Sequence, residues 1–277
     1  MKKIFIIFML MLLFYGYNTT FSQDLDKSIT QYAEDNATGY LQPLADAFGA
    51  NLNSGLSRSA HISKFGLHID LSLQAMYSPI PDDKKNFIPV GQSMEVPTVF
   101  GSESSVEDYP DGVWDTDFFP LAVPQLTIGS VMGTEATFRY FAYENDEIGE
   151  IKLYGWGIRH SISQYIPLCP VDIAAGFFSQ KFSIGSYVEA NALFYGFQAS
   201  KKISILLLYA GVGGEKSTLD LKYELEDGSE NISFALDGEN KTRMNIGIGL
   251  DFKYIKLYAD YNLAPQNVIS GSIGFGF

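Results

Sequence analysis

Alternation of apolar and polar side chains is the dominant pattern along this chain. From Phe65 to Ser78 every second residue is apolar, as at Leu67 and Ile69, while His68 and Asp70 fall on the other parity. Successive side chains of a β-strand point to opposite faces, so a period of two predicts a strand with one apolar face and one polar face. A helix over the same residues would spread the apolar side chains around its whole circumference.

The same pattern returns several times later in the chain. Alternating segments follow at 135–140, 154–159, 219–224, 243–253, 255–261 and 269–277. A tilted strand of about ten residues crosses a bilayer, with apolar side chains toward lipid and polar side chains toward the lumen. The pattern therefore predicts an all-β fold, an antiparallel transmembrane β-barrel of about 10–14 strands, and we favour about twelve.

Charged residues on the polar parity are candidates for the lumen of this barrel. The lumen-facing candidates are His68, Asp70, Arg139, Arg159, Asp220, Lys222, Arg243, Asp251, Lys256 and Asp260. They form either an electrostatic constriction that selects solutes or a set of charges that neutralise one another across a filled lumen. We favour a filled lumen, because a barrel of this strand number is not wide enough to guarantee an aqueous channel.

Two regions depart from strand character. Residues 28–48 carry apolar side chains at intervals of three and four, with Gly39 and Pro43 as interruptions and Gly49 as the expected end. This predicts a broken helix within an N-terminal segment, 23–60, which either lies in the periplasm or folds into the lumen as a plug. The barrel then covers 61–277, and residues 79–124, rich in Pro, Asp, Ser and Gly, are expected to form a long extracellular loop.

The N-terminus has the features of a secretory signal peptide. Lys2 and Lys3 precede an apolar run from Ile4 to Tyr17, and a small-x-small triplet ends at Ser22. The run is shorter than a membrane-spanning helix requires. We expect residues 1–22 to be removed near Ser22 and the mature chain to reach the outer membrane.

Composition and charge narrow the classes of partner. The chain has 32 acidic and 19 basic side chains, a net charge of −13, which excludes the basic footprint of a nucleic-acid-binding protein. Cys169 is the single cysteine, so no internal disulfide forms. Aromatic residues are frequent, at 14%, and we interpret tyrosines such as Tyr154 and Tyr209 as membrane-interface anchors.

The sequence predicts no catalytic or metal site. His68 and Asp70 share one face of a strand, but two ligands do not make a metal site. His160 and Ser161 adjoin, yet neighbouring residues on a strand point to opposite faces, and the chain lacks a Gly-x-Ser-x-Gly nucleophile elbow. We therefore expect no catalytic residue, no metal and no cofactor.

Several segments carry a resemblance to a known family. The segments are 97–101 (PTVFG), 157–164 (GIRHSISQ), 199–201 (ASK), 209–213 (YAGVG) and 259–263 (ADYNL). Over most of the mature chain they resemble an uncharacterised family of Bacteroidota outer-membrane barrels. In layout alone the chain is also similar to fatty-acid and hydrocarbon transporters with an N-terminal plug. The resemblance implies the fold and the compartment, and it implies no activity.

These observations lead to one leading hypothesis and one alternative from another class. The leading hypothesis is a non-enzymatic barrel for passive transport of a small, apolar solute. The alternative is a structural or interaction barrel that anchors surface or secretion partners. The expected partners are outer-membrane lipid and the barrel-assembly machinery, since the terminal Phe277 resembles the signal which that machinery recognises.

Overall fold

The computed structural model describes residues 34–106, 109–145, 149–224 and 231–276. Within these ranges the chain forms one α-helix, α1 (Glu34–Leu52), two short 3₁₀ turns and thirteen strands. The strands are β1 (Phe65–Pro79), β2 (Asn86–Phe87), β3 (Val96–Pro97), β4 (Phe118–Val131), β5 (Thr134–Asn145), β6 (Gly149–Ser161), β7 (Asp172–Ile184), β8 (Val188–Ile203), β9 (Leu206–Glu224), β10 (Asn231–Asp237), β11 (Thr242–Phe252), β12 (Ile255–Leu263) and β13 (Val268–Gly276).

The long strands close into a barrel. In the described part of the chain, ten strands form the ring β1-β4-β5-β6-β7-β8-β9-β11-β12-β13, and β13 pairs with β1 to complete it. Every pairing in the ring is antiparallel. The short strand β10 extends the wall by pairing with the far half of β9. The predicted all-β antiparallel barrel is confirmed, with a strand number at the lower end of the expected range.

The outer face of the barrel is apolar around its middle. On β6, for example, Tyr154, Trp156 and Ile158 are exposed, and the intervening residues point inward. No helix among the described residues is long and apolar enough to cross a bilayer. An exposed belt of large apolar side chains on a closed barrel is the surface that a bilayer covers, because its burial in lipid removes it from water.

The two ends of the barrel differ in their connections. At one end, here called the turn end, two-residue turns join β4 to β5, β8 to β9 and β11 to β12, and the longer segment 162–171 joins β6 to β7. At the other, here called the loop end, residues 80–117 connect β1 to β4 and contain the small hairpin of β2 and β3. The longest connection in the described part of the chain is therefore at the loop end, and outer-membrane barrels typically carry their longest loops outside the cell.

Helix α1 lies inside the barrel, which decides between the two locations expected for it. Its side chains share a buried core with inward-facing residues of β1, β4, β6, β7, β8, β9 and β10. The ring of Phe48 packs against Phe119 of β4 at 5.5 Å and Phe182 of β7 at 4.8 Å. Residues 53–64 then continue to the start of β1 at the turn end. We call residues 34–64 the plug.

The predicted interruptions of this helix were wrong. α1 continues through Gly39 and Pro43 and passes Gly49, where an end was expected, to finish at Leu52. A Cβ at Gly39 would overlap the Phe87 ring, and one at Gly49 would overlap the Ser217 side chain. These glycines permit close packing of the helix and do not end it. The start of the predicted helix, the signal peptide and Phe277 lie outside the described residues.

The long loop ends earlier than predicted. Strand β4 starts at Phe118, so residues 118–124 belong to the wall of the barrel. Pro120 and Pro124 lie opposite Tyr77 and Leu73 of β1. Pairing of β4 with β5 begins only at residue 125, so both prolines occupy a stretch with a neighbouring strand on one side. Proline is tolerated there because a missing N–H breaks no second ladder.

Candidate functional site

Arg139 of β5 holds the C-terminal end of α1. Its side chain is 2% exposed; Nη1 donates to the Leu52 carbonyl at 3.0 Å and Nη2 to the Ser54 carbonyl at 2.8 Å. A third bond, from Nε to Gln125, fixes the guanidinium at 3.0 Å. The last turn of α1 contains no basic residue, so the barrel wall supplies the cation that a helix C-terminus favours.

Arg243 of β11 performs the same task from the opposite side of the ring. Its Nη2 donates to the Ala50 carbonyl at 2.9 Å, and its Nη1 donates to the hydroxyl of Ser54. Nη2 also lies 3.0 Å from a carboxylate oxygen of Glu215, which is itself buried. We call Arg139, Arg243 and Glu215 the plug clamp. Together they bind the end of α1 to both walls.

A second polar cluster fixes α1 to the connections at the loop end. Lys84 Nζ lies 3.1 Å from Asp46 Oδ2 of the helix and also binds Glu239 and, at 3.1 Å, Gln266. Asp46 Oδ1 accepts a hydrogen bond of 3.0 Å from the Glu239 amide. Because Lys84, Glu239 and Gln266 belong to three different connections, this cluster joins them all to the helix.

The loop 80–117, here called the cap, packs over α1. The Tyr40 hydroxyl donates to the Asp111 carbonyl at 2.9 Å, and the Val99 amide donates to the Tyr40 carbonyl at 3.1 Å. At the foot of the cap, a hydrogen bond to Asp117 raises the pKa of Lys85. The cap is therefore bound to the plug as well as to the barrel rim.

At the turn end the lumen widens into a cavity of about 450 Å³, here called the vestibule. Its wall is lined with ion pairs. The pairs are Arg159 with Glu135, Lys256 with Asp70 at 2.9 Å and Lys202 with Asp251 at 2.5 Å, and the His68 ring also lies 3.2 Å from Glu135. Arg159 Nη1 also donates to the Ser59 carbonyl of the plug at 2.9 Å, so this wall is joined to the plug too.

The structure divides most of the predicted lumen residues between these sites. Arg139 and Arg243 lie in the plug clamp; His68, Asp70, Arg159, Asp251 and Lys256 line the vestibule. Asp260 is buried between them and accepts a hydrogen bond of 3.0 Å from the Tyr209 hydroxyl. Tyr209 points inward, so its interpretation as a membrane anchor was wrong.

Asp220 and Lys222 do not face the lumen, and this prediction was wrong. On β9 the inward positions are Leu219 and Leu221, which are 2% and 1% exposed in the core around α1. Lys222 is exposed on the outer face of β9, and Asp220, two residues away, lies on the same face. Odd-numbered residues point inward along all of β9, but the polarity of its two faces reverses at the loop end, because the plug makes the lumen apolar there.

Several residues of these sites were missed in the sequence. Glu135 could have been found, because it shares the polar parity of Arg139 on β5. Glu215 stands beside three glycine positions that hide the alternation, and Arg58 lies in the plug, outside any strand pattern.

His160, the histidine next to Ser161, is bound to neighbouring hydroxyl groups. Its Nδ1 lies 2.7 Å from the Thr134 hydroxyl and its Nε2 lies 2.9 Å from the Tyr165 hydroxyl. Among the described residues no group of His, Cys, Asp and Glu is arranged to hold a metal.

The sequence matches one family model over its whole length. Residues 1–277 align with the Family of unknown function (DUF6588). The chain belongs to this family. The expected membership of an uncharacterised family is therefore confirmed, and no curated protein matches the sequence.

Solved structures with a similar course of the chain are outer-membrane proteins. The outer membrane protease OmpT from Escherichia coli is 7% identical, with 78% of this chain and 98% of that chain covered and a TM-score of 0.38. The attachment invasion locus protein Ail of Yersinia pestis is 8% identical over 77% and 100% of the chains, with a TM-score of 0.27. The translocator domain of the autotransporter NalP from Neisseria meningitidis is 12% identical over 78% and 89%, with a TM-score of 0.30.

Proposed function

We propose that this protein is a plugged, non-conducting and non-enzymatic barrel of the outer membrane, which presents its cap as a structural or interaction platform. The observation that carries the proposal is that the plug forms the hydrophobic core of the barrel. An occupant that leaves to open a channel would be expected to rest in a polar, hydrated lumen. Here α1 packs as an interior helix packs in a globular domain.

The size of the buried surface favours a permanent plug. Five large side chains of α1 are almost fully buried: Tyr40, Leu41, Leu44, Phe48 and Leu52. Burial of a large apolar side chain stabilises by about 1.5–3 kcal/mol, so these five contribute roughly 8–15 kcal/mol before the clamp is considered. If only about half of the lower estimate, roughly 4 kcal/mol, separates the two states, the open state is still roughly a thousandfold less populated than the plugged state.

The exposed tip of the cap favours an interaction role. The hairpin of β2 and β3 ends in a segment where Ile88, Val90 and Met94 are exposed. The Val90 amide is bound to Asn36 of α1 at 2.8 Å, so the tip is held in place by the plug. Exposed apolar side chains on a fixed loop outside the membrane are suited to contact with a protein partner.

In this proposal, the protein is exported after its signal peptide is cleaved near Ser22, and the barrel-assembly machinery recognises Phe277.

Passive transport of a small solute is the second candidate. The vestibule favours it, because a cavity of about 450 Å³ opens at the turn end. The path inward from this cavity meets the plug clamp, where Arg139 and Arg243 bind the backbone of the plug. Transport would therefore require both arginines to release α1.

Conductance in planar bilayers separates the two candidates. The full-length protein is expected to show no stepwise current, whereas the double variant Arg139→Gln/Arg243→Gln, with a weakened clamp, should show brief openings. Lys152→Gln, on the outer face, is the control and should resemble the unmodified protein. Steady conductance of the unmodified protein would contradict a permanent plug and favour transport.

Photo-crosslinkers at Ile88 and Val90 in cells test the interaction role of the cap. Recovery of lipid adducts alone would count against that role.

A further inference from the structure

Arg58 of the plug lines the vestibule, and among the described residues it forms no ion pair with a carboxylate, unlike the neighbouring Arg159 and Lys256. The side chain is 7% exposed, and its guanidinium carbon lies 4.9 Å from the centre of the Tyr258 ring. Its Nη2 atom is buried and has no hydrogen-bond partner in the described part of the chain. A buried charged donor that is left unpaired is strongly unfavourable, so a ligand that accepts its hydrogen bonds is expected.

Three other cations of the vestibule wall are already paired. Arg159, which is buried, Lys256, which is partly buried, and Lys202, which is exposed, each bind a carboxylate of the wall. Among the described lining residues five lysine and arginine side chains face three carboxylates, although the whole chain carries a net charge of −13. The residues that line the vestibule therefore carry more positive than negative charge in an acidic protein. The nearby buried carboxylate of Asp260 is bound by the Tyr209 hydroxyl, and among the described residues Arg58 forms no ion pair with a carboxylate.

We propose that the vestibule binds a small oxyanion, such as a phosphate or a carboxylate, with Arg58 as its anchor. The guanidinium fork matches two oxygens of such an anion, and the Tyr258 ring beneath it keeps the plane of the fork fixed. Lys253 is exposed at the rim and attracts an anion to the cavity. The site is independent of the proposed platform function, since it lies at the opposite end of the barrel.

Isothermal titration calorimetry on the full-length protein, folded in detergent micelles, tests the site. The probes are inorganic phosphate and succinate, with chloride at equal ionic strength as the reference. We expect saturable binding of phosphate or succinate and none of chloride, and the tighter probe assigns the anion class. Arg58→Gln should weaken binding at least tenfold, or about 1.4 kcal/mol. Lys152→Gln removes one positive charge far from the vestibule and should keep the affinity unchanged.

Two results would overturn the proposal. One is the lack of saturable binding of either probe to the unmodified protein. The other is equal affinity of the unmodified protein and Arg58→Gln, which would mean an adventitious ion only. Heat-modifiable mobility on gels shows whether the variant is folded. If Arg58→Gln does not fold, Arg58→Lys replaces it, because lysine keeps the charge and loses the fork; unchanged affinity of that variant would also overturn the proposal.

Discussion

Removal of Arg243 should destabilise the barrel far more than removal of Arg243 and Glu215 together. Both side chains are buried, and each neutralises the other in the lumen. Arg243→Gln leaves the Glu215 carboxylate unpaired and weakens the bonds to Ala50 and Ser54 of the plug. In Arg243→Gln/Glu215→Gln the lumen contains no unpaired charge at this position.

The expected magnitudes follow from the burial of the pair. Breaking a buried ion pair by removing one partner costs about 3–5 kcal/mol, because the remaining charge stays away from water. Replacing both partners leaves mainly the lost hydrogen bonds to the plug, at about 1 kcal/mol each. The free energy of unfolding should therefore fall by about 3–5 kcal/mol in the single variant and by roughly 2 kcal/mol in the double variant.

The two tryptophans allow the cap, which binds the plug, and the wall to be followed separately. Trp114 of the cap stacks on Phe100 at 5.1 Å, while Trp156 is 49% exposed on the outer face. Equilibrium unfolding in urea, measured by fluorescence in Trp114→Phe and Trp156→Phe backgrounds, then reports each region. Arg243→Gln should shift the Trp114 transition to lower urea first. Lys152→Gln should leave both midpoints unchanged.

Two outcomes would refute this reasoning. A loss below about 1 kcal/mol in Arg243→Gln would show that water reaches Glu215 and that the pair is not buried in solution. A double variant no more stable than the single one would show that the bonds to the plug, and not the unpaired carboxylate, dominate the loss. In that case Arg139→Gln, which unpairs no carboxylate, should be as destabilising as Arg243→Gln.

Three further predictions follow from the packing of the plug. Gly49→Ala should lower the free energy of unfolding by about 1–3 kcal/mol, because its Cβ overlaps Ser217, and Ser217→Gly in the same chain should restore it in urea titrations. Lys84→Met leaves a buried carboxylate of α1 unpaired, so limited proteolysis should cut the cap faster than in the unmodified protein; equal rates would contradict the role of the cluster. Leu221→Asn should cost about 2–5 kcal/mol and Lys222→Asn should leave the melting temperature unchanged, which checks the facing of β9.

The sequence was most informative where one face of a strand meets lipid and the other meets polar lumen. Strand β1 was predicted within one residue, Phe65–Pro79 against 65–78, because lipid and polar lumen impose opposite side chains on it. On the far half of β9 the rule failed, since Leu219 and Leu221 face an apolar plug. Alternation marks two faces, but it does not say which of them is inside when the lumen itself contains a hydrophobic core.

The partners of the candidate site residues could not be predicted from the sequence. Arg139 and Arg243 share the polar parity of their strands and lie inside the barrel, but the carbonyls that they bind at the end of α1 depend on how far the helix enters the barrel. The depth to which the helix enters the barrel cannot be read from a local sequence pattern. Arg58 was missed for the same reason, because its surroundings are formed by β12 and the plug, which are some two hundred residues apart in sequence.

The position of the plug constrains the order in which the barrel is assembled. Residues 34–64 precede β1 and run through the lumen from the loop end to the turn end, and the ring closes between β1 and β13, the described strands nearest the two ends of the chain. The helix is covalently joined, through residues 53–64, to β1, one of the two strands of this closing pair. We therefore expect the sheet to curl around a helix that is already in place, so that α1 serves as a template for the curvature of the wall. The final pairing of β1 with β13 would then enclose a core that is already formed.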